Sequence, residues 1–218
     1  MSIFSRLSQT SRQRKLALFY ETFLPLDGKK VLDVGGEAGR SDGTLQLIDS
    51  YPFKKNLSVL NISAEHIERI KQTWPEVDSH VGDALDLPWP DKFFDIVYCN
   101  AVIEHVGDFD CQKKMAQEIQ RVSKSWFVTT PNRWYPFEFH MRLPFVPWLP
   151  FHGYLFTGRF ISYNHIKRKY AFGINHKHLR LLTARELEKC FPGSQIVKQR
   201  VTFMPEILIA IGGDPKKP

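Results

Sequence analysis

The chain is short of several things, and each shortage narrows what it can be. Cysteine is rare: Cys99, Cys111 and Cys190 are odd in number and scattered, so they offer neither a disulfide framework nor a metal-ligand spacing. Reduced thiols in a cytoplasmic protein are the expectation. No run of eighteen apolar residues occurs, so no transmembrane helix is expected. The stretch MSIFSRLSQTSRQRK has no continuous apolar core and no small-residue cleavage site, and does not read as a signal peptide. Internal repeats and low-complexity tracts are missing too. Acidic residues are outnumbered, 23 against 30 Lys and Arg, which leaves a net charge of +7. That balance favours anionic partners: nucleic acid, anionic lipid, or a phosphorylated or carboxylated substrate. Many basic soluble proteins carry the same excess without such a partner. What is present is a 218-residue chain, 43% hydrophobic and 24% charged. It fits one ordinary globular domain with room for an insertion.

Strand and helix patterns alternate along most of the chain. Residues 11–24 place Leu16, Phe19, Tyr20 and Phe23 at helical spacing. KKVLDVGG reads as a buried strand, and GRSDGTLQLIDSY as a helix opened by a glycine turn. NLSVLNIS is a second strand. SAEHIERIKQTW is an amphipathic helix with Ser63 as N-cap. A short strand lies in DSHVGDALDLP, FFDIVYCNAV is a fourth, DCQKKMAQEIQRVS a helix and SWFVTTPN a fifth strand. TARELEKCF carries a capping box, Thr183 with Glu186. SQIVKQRVTF and PEILIAIGG end the series as a strand pair. Such alternation specifies a mostly parallel sheet with helices on both faces, and a ligand site at the C-terminal strand edge. Between 131 and 180 the rhythm breaks, with prolines at 131, 136, 144, 147 and 150 and many aromatics.

The turn after the first strand is the first chemical signal. A dinucleotide fold wants G-x-G-x-x-G there, and the glycines at 35, 36, 39 and 43 do not match. Asp33-Val-Gly35-Gly36-Glu37-Ala38-Gly39 instead resembles the first motif of class I S-adenosylmethionine-dependent methyltransferases of the methyltransferase type 11-like group, an acidic residue followed by G-x-G-x-G. The likeness continues through VLNIS and VGDALDLPWPDKFFDIVYCNAVIEHV and covers residues 29–131 as a continuous core. The glycine turn alone is a weak signal; the ordered set is a strong one. It implies a seven-stranded Rossmann-like methyltransferase sheet with an antiparallel last strand, S-adenosylmethionine as cofactor, and no metal. It also implies an N-terminal helical segment at 1–28 and a methyltransferase domain at 29–218, with a lid insertion at about 131–180.

By that resemblance Gly35, Gly36 and Gly39 let the backbone approach the cofactor, and Asp33 faces its ammonium. Asn61 stands where the ribose carboxylate usually is, and Ile62 covers an adenine face. Asp83 accepts from the adenine amino group while the N–H of Ala84 donates to a ring nitrogen. Asn100 and Ala101 lie near the methionine moiety. Glu37 replaces the middle glycine. If that position needs a left-handed backbone, the substitution costs about 1–2 kcal/mol, which reshapes the pocket without abolishing it. Glu37 is also placed to supply the acidic contact that Asn61 lacks.

Methyl transfer needs alignment and, for a hydroxyl or amine, removal of a proton. His105, His140 and Glu138 are the leading candidates for that work, with Glu104, His176 and His178 behind them. The insertion holds eight Lys or Arg against one acid, Glu138, interleaved with Trp134, Phe145, Trp148, Phe151, Tyr154, Phe156 and Phe160. It reads as a surface for an anionic or lipid-linked acceptor, as a peripheral contact with an anionic membrane, or as aromatic packing beneath a solvated KRK at 167–169. A small-molecule, glycan or lipid-linked acceptor is the leading expectation. A nucleic-acid acceptor is disfavoured because NAVI stands where base-amino methyltransferases carry Asn/Asp-Pro-Pro-aromatic. A non-catalytic cofactor-binding protein, supported by Glu37 and Asn61, is the third reading.

Overall fold

The computed structural model describes residues 3–38, 45–164, 169–173, 176 and 178–214. In chain order its elements are α1 (Ile3–Phe23), β1 (Val31–Val34), α2 (Leu47–Ser50), β2 (Leu57–Asn61), α3 (Ala64–Thr73), β3 (Asp78–Val81) and β4 (Phe94–Asn100). There follow α4 (Phe109–Val122), β5 (Ser123–Pro131), β6 (Phe137–Glu138), β7 (Leu143–Pro144), α5 (Phe151–Phe160), β8 (Ser162–Asn164) and β9 (Lys169–Ala171). The chain closes with α6 (Ala184–Cys190), β10 (Gln195–Arg200) and β11 (Pro205–Gly212). One seven-stranded sheet runs β10-β11-β5-β4-β1-β2-β3. β3, β2, β1, β4 and β5 are mutually parallel, and β11 runs antiparallel to both β5 and β10.

Alternation along each strand sorts the core into two layers. Leu32, Val34, Val97, Cys99, Val128 and Leu208 face Met115, Ala116, Ile119 and Val122 of α4 and Leu187 of α6. Val31, Val59, Ile96, Tyr98, Phe127 and Ile209 face Leu16, Phe19 and Phe23 of α1, with Ile48, Ile67 and Ile70 from α2 and α3. A period of two in the strands meets a period near 3.6 in the helices, so both sheet faces are covered. Phe19 alone contacts the rings of Phe23, Tyr98 and Phe127, with centroids 5.1–5.6 Å away. α1 is therefore part of the core of this face, and it is longer than the 11–24 stretch that periodicity marks.

The caps at Ser63 and Thr183 fall where the sequence puts them, and α4 has a further one at Asp108. The Ser63 hydroxyl accepts from the His66 N–H at 3.4 Å, Asp108 accepts from the Cys111 N–H at 2.9 Å, and Thr183 and Glu186 close a reciprocal box. The expected helix over GRSDGTLQLIDSY differs. Its residues 39–44 lie outside those described, Gln46 is extended, and the helix occupies only Leu47–Ser50. Pro52 biases Tyr51 out of the helical region and stops it there.

The chain leaves β1 toward β2 and β3 on one side, then returns through β4 to the other. The crevice between the C-terminal ends of β1 and β4 is the topological switch point, where ligands of such sheets bind. The 131–180 stretch is built of two short hairpins, β6–β7 and β8–β9, together with α5. Met141, Val146, Leu179 and Leu181 form a small core of its own. No helix among the described residues is long and apolar enough to cross a membrane.

Candidate active site at the switch point

Gly35 turns the chain out of β1 with φ +79°, the left-handed region glycine takes without a steric penalty. A Cβ there would stand 2.3 Å from Cγ2 of Val102, just past the end of β4. At Gly36 a Cβ would meet the Asp33 carboxylate at 2.7 Å. Both positions therefore require glycine, because the turn packs directly against Val102 on one side and Asp33 and Val59 on the other. Glu37 is absent from the residues with positive φ, so it sits on ordinary backbone and no left-handed penalty applies. Its carboxylate lies 3.7 Å from Nδ1 of His66 on α3. Gly39 lies outside the described residues.

Asn61 ends β2 and ties the turn down. Its Nδ2 donates to the Gly36 carbonyl at 2.9 Å, and its Oδ1 accepts from the Ser63 N–H at 2.9 Å. The side chain is buried, so its first task is to hold the glycine turn. Asn61→Ala removes both bonds and is expected to lower stability by about 1–3 kcal/mol, read as a drop in Tm. An unchanged Tm would mean that the turn holds itself.

Asp33 is buried in the floor of the crevice, and burial, with Glu37 and Asp49 nearby, raises its pKa from 3.8 to about 7. A buried carboxylate in that condition is suited to a cationic ligand, which would restore its charge. Ile62, just past β2, is 76% exposed, an unusual setting for a large aliphatic side chain at a crevice rim. The exposed Asp83 pins its own loop by accepting from the Leu85 N–H at 2.9 Å, next to the buried Ala84. Glu118 and Arg121 of α4 grip the continuation through Leu87 and Trp89.

Across the crevice, Ala101 adopts φ +58°, a strained conformation for a non-glycine residue. Asn100 receives two hydrogen bonds on Oδ1, from Lys15 Nζ at 2.6 Å and Thr129 Oγ1 at 2.9 Å. Lys15 is the residue the sequence reading missed. It reaches in from α1, and burial, with Arg12 adding to the effect, lowers its pKa from 10.5 to about 7. One signal was available: Ser11, Lys15, Phe19 and Phe23 recur every fourth residue, so Lys15 lies on the buried stripe of its helix.

The expected acid-base residues do come together. His105 and His140 stack edge to face with centroids 4.8 Å apart, and His140 Nδ1 lies 2.7 Å from Oε1 of the buried Glu138. Glu104, fully buried, accepts from Thr130 Oγ1 at 3.2 Å through Oε2, while Oε1 makes no hydrogen bond. Burial raises the Glu104 pKa. For His140, burial opposes the charge, but Glu138 and Glu104 outweigh it and hold the pKa above the ordinary histidine value. Desolvation by the surrounding protein, with His140 nearby, pushes His105 down from 6.5 to about 4 although the residue as a whole is exposed. His176 stands apart from the pair, 2.8 Å from Ser162 Oγ, and His178 is exposed.

Residues 32–126 match the profile of the family described as Methyltransferase domain. No curated protein matches the chain. Among solved structures, the fold is similar to the PH0226 protein of Pyrococcus horikoshii, with TM-score 0.59, 19% identity, and 95% of this chain and 91% of that one covered. It is similar to an S-adenosylmethionine-dependent methyltransferase of Methanosarcina mazei, with TM-score 0.55, 14% identity, and 89% and 95% covered. It is also similar to the N-methyltransferase NodS of Bradyrhizobium japonicum, with TM-score 0.56, 12% identity, and 94% and 95% covered.

Proposed function

We propose that this chain is a class I S-adenosylmethionine-dependent methyltransferase, a reading supported by the match of residues 32–126 to the family described as Methyltransferase domain, and that it methylates a hydroxyl or other heteroatom of an anionic or lipid-linked acceptor held beneath the 131–180 insertion. Bound in the crevice, S-adenosylmethionine supplies a methyl group activated by its sulfonium. The residues present fit it. The left-handed turn at Gly35 brings its backbone to the strand edge, the buried Asp33 suits a cation, and the exposed Ile62 offers an apolar surface beside β2. In this reading Asp33 binds the ammonium, Asp83 and Ala84 hold the adenine, and Asn100 and Ala101 border the reacting end. The Asn61 amide already serves the turn, so its part toward the ribose is to place the Gly36 backbone.

The observation that carries the acceptor side is the pair of buried Glu138 and half-buried His140 packed on His105. It sits on the insertion yet meets the segment that follows β4. The acceptor's proton leaves through this cluster. The lipid-linked character is drawn from the insertion's exposed rings. Phe145 and Trp148 stand 5.3 Å apart, Trp148 donates to the Trp134 carbonyl, and Phe156 and Phe160 pair at 4.8 Å. Phe172 is 80% exposed. Rings that open to water in such number mark an interaction surface, and the basic residues among them favour an anionic head group or membrane surface.

Methyl-transfer assays with lipid-linked acceptors and their water-soluble head groups test this reading. Turnover is expected on the lipid-linked form. His140→Ala is expected to lower kcat by about 10²–10⁴-fold while S-adenosylmethionine binding persists. Equal turnover on both forms, or full activity in His140→Ala, would sink it.

A further inference from the structure

We infer that Glu104, His105 and His140 form a binding site for one divalent first-row transition ion. One donor atom from each residue lies within 4.8 Å of the other two. Donors around a zinc-like ion at about 2.0–2.2 Å stand roughly 3.4 Å apart, so each need move inward by less than about 1 Å. Two imidazoles and one carboxylate suit zinc, iron(II), cobalt or manganese, whereas magnesium and calcium prefer oxygen alone.

Three further features point to a ligand. The Glu104 carboxylate is fully buried and leaves Oε1 without a hydrogen bond. An orphaned buried oxygen beside two imidazoles is costly unless something binds it. Second, Glu138 sits behind His140 at 2.7 Å from Nδ1, the carboxylate–histidine arrangement that orients metal-ligating imidazoles. Glu138 also accepts from the Met141 N–H, which fixes it in turn. Third, the turn carrying Glu104 and His105 is clamped from outside. The buried Gln112 donates to the Ile103 carbonyl at 3.0 Å, and the Arg180 N–H donates to the Glu104 carbonyl at 2.8 Å. His105 is the member open to solvent, so a coordination position faces outward for an acceptor heteroatom or water. Use of that position in methyl transfer rests on the proposed function; occupancy of the site does not.

The test is titration of the full-length protein, stripped with chelator, with cobalt(II) alone, followed by its visible d–d absorption, and with zinc(II) by calorimetry. One equivalent is expected, with the intense band of a low-coordinate site. His105→Ala, at a solvent-exposed position whose fold Tm verifies, is expected to lose the band, and so is His140→Ala. Glu138→Gln is expected to weaken binding by about 10–100-fold. No saturable binding, or binding unchanged in His105→Ala, overturns the site. S-adenosylmethionine binding and turnover, measured on the same samples, separate the two readings: activity kept by His140→Ala sinks the acceptor reading, and a missing cobalt band sinks the metal site.

Discussion

Asp33→Asn is expected to weaken S-adenosylmethionine binding while making the free protein more stable. If Asp33 faces the cofactor's cation as proposed, the substitution removes a charge-assisted contact worth about 1.5–3 kcal/mol, or roughly 10–100-fold in Kd. In the free protein the same carboxylate is a liability. Its folded pKa is raised from 3.8 to about 7, so the ionised form is disfavoured by folding. The deficit is absent below the unfolded value, grows as pH rises from about 3.8, and is complete above about 7. Asn, itself buried, recovers only part of this, roughly 2 kcal/mol at pH 8. Tm of the variant should exceed that of the parent at pH 8 and converge with it near pH 4. Cofactor affinity of the parent should fall about tenfold per pH unit below 7, because the proton must leave before the cation binds. A pH-independent Kd between 5 and 8 would show that Asp33 does not face the ligand, and a less stable Asp33→Asn at pH 8 would show that burial of its carboxylate is not a liability.

Gly35→Ala is expected to damage fold and site together. The φ of +79° costs an L residue about 1–2 kcal/mol, and the new methyl would lie 2.3 Å from Val102 Cγ2. Overpacking of this kind adds about 1–3 kcal/mol. The sum is a large fraction of a typical domain's stability, so a fall in Tm by several degrees accompanies the loss of cofactor binding. Val102→Ala separates the two contributions. Combined with Gly35→Ala it relieves the clash but not the dihedral, so the double variant should regain part of the lost stability. A Gly35→Ala protein that melts and binds like the parent would contradict the placement of the turn against β4.

Much of this was legible before any coordinates. The alternation of VLDV, LSVLN and FDIVYCN with amphipathic helices determined a parallel sheet covered on both faces, because strand and helix periods are local properties of the chain. The caps Ser63 and Thr183 were legible for the same reason, and so was the glycine turn beside Asp33. Composition determined the basic, aromatic character of the insertion. Contacts between residues remote in sequence were not legible, since no local pattern encodes them. Lys15 reaches Asn100 across 85 positions only because α1 packs on the face where β4 ends. Glu104 and His105 meet His140 because the insertion folds back over the strand edge, so no ligand spacing betrays the cluster. That Asn61 also holds the Gly36 carbonyl follows from β1 and β2 being neighbours in register. The ordinary backbone at Glu37 and the left-handed one at Ala101 depend on how the two crossovers leave the sheet. Periodicity thus determined the layers and the strand edge that carries the candidate site. Only the tertiary packing decided which buried charges share that edge, because burial and partner choice belong to the assembled sheet.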